Sequence, residues 1–354
     1  MNTLAARYPK LLLELPFLTL TSLPTPLDRA ENLGEDLGLE ALWIKRDDLT
    51  GQPYGGNKVR KLEYLLSEAG QRECDAVVTF GAIGSNHVLA TAIYAQRLGL
   101  ECYGVLTDQP VTPYVAQTLR YHAVIGTRLV HGKSYSGVLD AAEQIARDHA
   151  TGPDKVFQVP WGGSSWRGTV GFVNAAFELA DQLKHAEAPD RIYVACGTMG
   201  TAVGLALGLR IAQLPTEVVA VQVAPAPVTA ETHMRHLFEE TNRELHAIDD
   251  AIPLFDDPFA NLTLRSEFLG AAGYAEPTPE CREACALMEG TESLHLDTTY
   301  TGKGLAALIH DARAGKLTGQ HALFWNTYNS HPYPKTLNKV DTSELPEFVQ
   351  PYLG

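Results

Sequence analysis

Short runs of β-branched and aromatic residues alternate with stretches of helical period along most of this chain, and that alternation limits the fold more than any other feature. Ala41–Lys45 reads as a strand, and Lys58–Ala69 as a helix with Leu62, Leu65, Leu66 and Ala69 on one face. A strand at Ala76–Phe80 leads into a helix over Ser85–Leu98, and Cys102–Leu106 and Thr127–Val130 are further strands. A helix over Val138–His149 precedes a strand at Val156–Val159. Helix Gly168–Leu183, strand Arg191–Cys196, helix Thr201–Leu214 and strand Glu217–Val223 continue the order, and Ala322–Trp325 adds a late strand. Such β-α-β-α order predicts an α/β protein with mostly parallel, twisted sheets and helices on both faces. Segments 224–265 and 326–354 have weak periodicity and read as mixed helix and loop.

Two stretches rich in turn residues, Gly51–Gly56 and Pro160–Ser165, interrupt the pattern. Taken as hinges, they bound a small domain at 57–160 inserted into a larger one made of 1–56 plus 161–354. A chain of 354 residues suits two domains of about 150 residues each. Lys and Arg number 28 against 42 Asp and Glu, a net charge of −14 with no basic patch, so a nucleic-acid partner is not expected. No run reaches the ~20 apolar residues of a membrane span, and Pro9, Glu14 and Pro16 break the apolar N-terminal stretch, which does not read as a signal peptide. A cytoplasmic protein without membrane contact is expected. The five cysteines do not look like a disulfide framework, and no cluster around Cys281 and Cys285 completes a metal site.

The chemistry concentrates at four turns that lead into helices. In Gly55-Gly-Asn-Lys58 the glycines allow a tight turn, Asn57 is a candidate cap, and Lys58 falls in the first helical turn on the face of Leu62. An inward ammonium at the positive end of a helix has a lowered pKa, which favours a nucleophilic amine; a lysine snorkelling to solvent is the plainer reading of the motif alone. Ser85-Asn-His87 opens a helix with a capping serine and free amides suited to a carboxylate or phosphate. Gly197-Thr-Met-Gly-Thr201 fits neither the dinucleotide fingerprint nor a Walker A loop, and suits one terminal phosphate held by backbone amides without a lysine. Asp297–Gly304 offers Tyr300 and Thr301 at the start of an apolar helix. Together, a nucleophilic lysine, a carboxylate grip and a phosphate cradle match what pyridoxal phosphate chemistry requires.

The blocks Lys45-Arg-Asp-Asp-Leu49 and Gly55-Gly-Asn-Lys-Val-Arg-Lys-Leu-Glu63 resemble the 1-aminocyclopropane-1-carboxylate deaminase / D-cysteine desulfhydrase family. Ser85-Asn-His87, Gly162-Gly-Ser164, Gly197–Thr201 and Tyr300-Thr-Gly-Lys303 match further in the family's order. The resemblance implies a pyridoxal phosphate enzyme of the tryptophan-synthase-β fold type (fold type II), with two open sheets, assembling as a homodimer and acting on a small amino acid. It implies Lys58 as the lysine that links the cofactor, Asn86 on the ring hydroxyl, and Gly197, Thr198, Met199, Gly200 and Thr201 around the phosphate. Ser85, with Asn86 and His87, would hold the substrate carboxylate, and Ser85 would assist proton transfer. Tyr274 and Tyr300 would lie near the substrate.

Two positions bear on the reaction. In this family the deaminases carry Glu at the position of Thr301 and Leu at that of Thr327; threonine at both follows the desulfhydrase branch. A threonine near the ring nitrogen cannot stabilise its protonated form through charge, so the electron sink is moderate. The expected reaction is therefore α,β-elimination from a small β-substituted amino acid, D-cysteine first. Cyclopropane deamination, another β-substituted substrate such as cysteate, a non-catalytic cofactor binder and a dinucleotide oxidoreductase are the alternatives. Asn326-Thr-Tyr-Asn329 departs from the family's His-Thr-Gly-Gly-like turn, and Thr107–Pro113 lacks its polar loop, so both bear on the substrate.

Overall fold

The computed structural model describes residues 2–112 and 114–353; Met1, Pro113 and Gly354, which end stretches named above, lie outside the described residues. In chain order the strands are β1 Leu27–Arg29, β2 Ala41–Arg46, β3 Ala76–Ala82, β4 Glu101–Thr107, β5 Arg128–His131, β6 Val156–Gln158, β7 Arg191–Cys196, β8 Glu217–Gln222, β9 Leu262–Arg265 and β10 His321–Asn326. They form a six-stranded sheet, β1-β2-β10-β7-β8-β9, and a four-stranded sheet, β5-β4-β3-β6. Every pairing is parallel except β1 with β2. The fold is thus the α/β arrangement of two mostly parallel sheets that the sequence predicts. β10, from far along the chain, lies between β2 and β7, with Trp325 level with Lys45 and Phe324 level with Tyr193.

The central strands are apolar on both sides because both faces are covered. Ile192, Val194 and Cys196 of β7 join Val218 and Ala220 of β8 in a core with helices Trp166–Gln182 and Gly200–Ile211. The alternate residues Tyr193, Val219 and Val221 face Leu305 and Leu308 of helix Thr301–Arg313. Helix Lys58–Gln71 buries Val59, Leu62, Leu65, Leu66 and Ala69 against the smaller sheet, beside Val77.

The same helix carries a charge cluster that the sequence reading did not single out. Arg60 reaches Asp47 (2.7 Å) and Glu178 (3.0 Å), and Lys45 Nζ reaches Glu178 (2.6 Å). Trp325 Nε1 donates to Asp47 Oδ2 at 2.8 Å. All five side chains are buried, so β2, β10 and two helices meet through paired charges. Burial alone would raise the Glu178 carboxyl, yet Arg60 and Lys45 hold it down to about 2.

The segment read as mixed helix and loop over 224–265, and an unassigned stretch before β5, hold regular structure. Helix Glu231–Ile248 turns Met234, Leu237, Phe238, Thr241, Asn242 and Leu245 inward, and its period is masked because two of the six are polar. β9 follows it, and a further unforeseen helix, Val115–Val124, connects β4 to β5.

Candidate active site

A cavity of about 420 Å³ opens at the carboxyl ends of β3, β7 and β10, lined by residues of both sheets' connections. Open parallel sheets place their ligands at such strand ends. The loops that begin the adjoining helices therefore decide its chemistry.

Lys58 is the first residue of its helix and lines the cavity half-buried. Burial lowers its ammonium from 10.5 to about 8, and among the described residues no carboxylate pairs with it. The snorkelling alternative does not describe this side chain, which sits in the cavity wall. Asn57 makes no capping hydrogen bond, contrary to expectation; its Nδ2 instead donates to Thr201 Oγ1 at 3.0 Å, tying the lysine turn to the loop after β7.

That loop contributes Gly197, Thr198, Met199 and Thr201 to the cavity. Met199, in the left-handed region at φ 67°, starts helix Gly200–Ile211. Gly200 is not among the lining residues; its amide donates to Ser164 Oγ at 3.2 Å. The sequence predicts a loop that works without a lysine, and the structure places one beside it. Lys61 Nζ donates to Gly162 O and Ser164 Oγ, both at 3.1 Å, and a Cβ on Gly200 would stand 2.9 Å from that nitrogen. The spacing Lys58-x-x-Lys61 signals this, since residues three apart share a helix face. Burial, then the neighbouring Lys58, lowers the Lys61 ammonium well below its usual value.

Opposite lies the N-terminus of helix Asn86–Arg97, capped by Ser85 Oγ accepting from Val88 N. Ser85, Asn86 and His87 all line the cavity. Asn86 Oδ1 accepts from Tyr54 at 3.1 Å, which fixes the amide plane. His87 is held more tightly than a free substrate ligand would be. Its Nε2 lies 2.9 Å from Thr79 Oγ1 and 3.1 Å from Pro160 O, so it carries the proton and donates to that carbonyl. Burial keeps the ring neutral, and the buried Nδ1 has no partner among the described residues.

Tyr274 and Tyr300 line the remaining wall, with their hydroxyls hydrogen-bonded to each other. Burial raises both phenols, Tyr274 to about 12, so both stay protonated at neutral pH. Thr327 lines the cavity, but Thr301 does not. The Thr301 hydroxyl is fully buried and donates to Asp297 Oδ1 at 2.6 Å, and the Asp297 carboxylate also accepts from the amides of Thr299, Tyr300 and Thr301. Thr301 thus takes part in the helix cap, its hydroxyl committed to Asp297, where the resemblance expects it beside the ring nitrogen.

Residues 18–327 match the family described as "Pyridoxal-phosphate dependent enzyme". The chain belongs to that family. It is 33% identical over 320 residues to a Pyrococcus abyssi protein described as "Putative 1-aminocyclopropane-1-carboxylate deaminase", covering 90% of this chain and 92% of the relative. It also resembles the solved structure of an ACC deaminase homologue, with a TM-score of 0.78, 30% identity, and 94% and 97% of the two chains covered. A threonine deaminase of Solanum lycopersicum shares the fold at a TM-score of 0.61 and 17% identity, over 94% of this chain and 86% of that one. This is a pyridoxal phosphate-dependent enzyme of fold type II, similar to the 1-aminocyclopropane-1-carboxylate deaminases.

The cavity fits the cofactor. It pairs a primary amine of lowered pKa with a cradle of Lys61, hydroxyls and a helix N-terminus, the donor set a phosphate dianion needs. The absence of a side chain at Gly200 is what lets Lys61 approach that loop.

Proposed function

We propose that the chain catalyses α,β-elimination from a small β-substituted amino acid, with D-cysteine as the first substrate. The overall change would be cysteine plus water to pyruvate, ammonia and sulfide. The observation that carries this reading is Lys58: an amine of lowered pKa sharing one cavity with a phosphate cradle and a helix N-terminus.

When bound, pyridoxal phosphate supplies a sink for the electron pair released at the substrate Cα. Lys58 would hold the cofactor and then take up the Cα proton on Nζ. Lys61, Thr198, Thr201 and the amides around Met199 and Gly200 would hold the phosphate. Asn86 Nδ2 is available to the ring hydroxyl, since its Oδ1 is committed to Tyr54. Ser85 and the first amides of its helix would bind the substrate carboxylate, with His87 bracing that turn through Pro160. The protonated Tyr274–Tyr300 pair would donate a proton to the departing group. Residues 57–160 would act as a small domain closing on 1–56 plus 161–354, in a homodimer.

Elimination is favoured over ring opening by the residues around the sink. Asp108 is the single carboxylate among the described lining residues, and it is engaged by His131 at 3.3 Å. Thr327 offers a hydroxyl and no charge, so a ring nitrogen beside it stays unprotonated and the sink is moderate. A thiolate or chloride leaving from Cβ relieves the carbanion; a cyclopropane has no such exit. Ring opening is the second reading, favoured by the description of the Pyrococcus relative. The test is keto acid release from purified protein with D- and L-cysteine, β-chloro-D-alanine and 1-aminocyclopropane-1-carboxylate. Pyruvate from the first three compounds' reactive members with little 2-oxobutyrate supports elimination; efficient cyclopropane turnover overturns it.

A further inference from the structure

The turn after β10 brings Tyr328 into the cavity wall. Its backbone has little room to move. Asn57 N donates to Thr327 O at 3.0 Å and Gly55 N to Asn329 Oδ1 at 2.7 Å, and a Cβ on Gly56 would stand only 2.9 Å from Thr327 O. The turn is therefore pressed against the residues that carry Lys58.

The ring is clamped as well. Tyr114, at the start of helix Val115–Val124, packs on Tyr328 with centroids 6.1 Å apart, and its hydroxyl bonds His295 Nε2 at 2.6 Å. On the other side the Tyr328 hydroxyl faces that of Tyr333. Tyr333 is itself packed on Tyr54 and Tyr121 and lies 3.3 Å from Thr118 Oγ1. Tyr54 is the residue that fixes Asn86. Tyr328 thus lies close both to Tyr54, which holds Asn86, and to Tyr300, with Tyr114 and Tyr333 as its aromatic neighbours.

We propose that the Tyr328 ring is the size filter of the substrate site: it closes the space beyond the substrate's Cβ, so that amino acids with small β-substituents enter and those with bulky ones do not. The proposal rests on the reading of this cavity as an amino-acid site. A rigid aromatic wall excludes added carbon atoms sterically, and a glycine-sized residue at the same place would leave that space open.

The test uses the cofactor-loaded protein and reads binding rather than turnover. Alanine, 2-aminobutyrate, norvaline and phenylalanine, in D and L forms, are titrated while the cofactor absorbance is followed. The unaltered protein binds alanine and 2-aminobutyrate and loses affinity at least about tenfold by phenylalanine, the scale expected when a pocket lacks room. Tyr328→Gly removes that loss with little change for alanine, and Tyr328→Phe keeps it. Tyr114→Ala, outside the cavity wall, loosens the clamp and weakens the filter, which serves if Tyr328→Gly does not fold. A size profile unchanged in both Tyr328→Gly and Tyr114→Ala, or absent from the unaltered protein, overturns the proposal, as does its loss in Tyr328→Phe. Binding with the expected profile but no keto acid from any β-substituted substrate overturns the elimination reading alone. No absorbance change with any amino acid overturns both.

Discussion

Lys58 and Arg60 are two residues apart on one helix, and their surroundings are opposite. Arg60 is buried between two carboxylates, with Asp47 at 2.7 Å and Glu178 at 3.0 Å. Lys58 lines the cavity without a carboxylate partner among the described residues, and its pKa falls to about 8. Helical geometry separates the two sides: a residue two positions on points some 200° away. On one side a paired charge fixes the helix; on the other, among the described residues, the amine has no carboxylate to pair with. A buried ion pair gives little net stability but is costly to break, and that asymmetry holds Lys58 in place.

The comparison breaks most visibly at the lysine. Lys58→Ala should lower turnover by about three orders of magnitude or more, as removal of a covalent participant does. Borohydride reduction and peptide mapping should lose the cofactor label from this position. A label on Lys61 or Lys303 in the unaltered protein contradicts the assignment.

Breaking the other side should act on stability. Glu178→Ala leaves Arg60 and Lys45 short of a counter-charge and should cost about 3–5 kcal/mol in denaturant unfolding. The folded fraction should still be labelled at Lys58. A small loss of stability would mean that the cluster is not the anchor described.

The phosphate side is expected to respond next. Thr201→Asp sets a carboxylate against the dianion and should weaken cofactor retention about tenfold or more on dialysis. Unchanged occupancy removes the loop from the site.

The titration of Lys58 gives a subtler effect with a definite sign. Its pKa is lowered on folding, so the unfolded chain binds more protons between about 8 and 10.5. The cofactor-free unaltered protein should therefore gain stability relative to Lys58→Met as pH rises through that window. Using the difference cancels the buried thiols, whose raised pKa values act in the opposite direction. A difference independent of pH refutes the lowered pKa. Smallest of all, Thr301→Ala should cost about 1 kcal/mol for one lost hydrogen bond and leave the cofactor spectrum unchanged.

The strand-helix order and the positions of Lys58, Ser85, Gly197 and Tyr300 were legible because each lies at a local junction where periodicity changes or glycines gather. The Asp47–Arg60–Glu178–Lys45 cluster was not, because its members are joined by contacts up to 133 residues apart in sequence. Lys61 was visible by its spacing from Lys58, but its approach to Gly200 depends on how two distant loops meet. Thr301 shows the converse. Its position suggests a cofactor contact, whereas a capping carboxylate only four residues earlier captures its hydroxyl.

The central position of β10 bears on how the protein is made. β2 and β7 wait for a partner that is synthesised only at His321–Asn326. At a ribosomal pace of about 5–20 residues per second, that strand appears roughly a quarter-minute to a minute after β2. Until then the larger sheet has two unpaired edges at its middle, the kind of surface that invites pairing with other nascent chains. Thr327 and Tyr328 follow directly behind the closing strand, so their side of the cavity is the last part of its lining to be built.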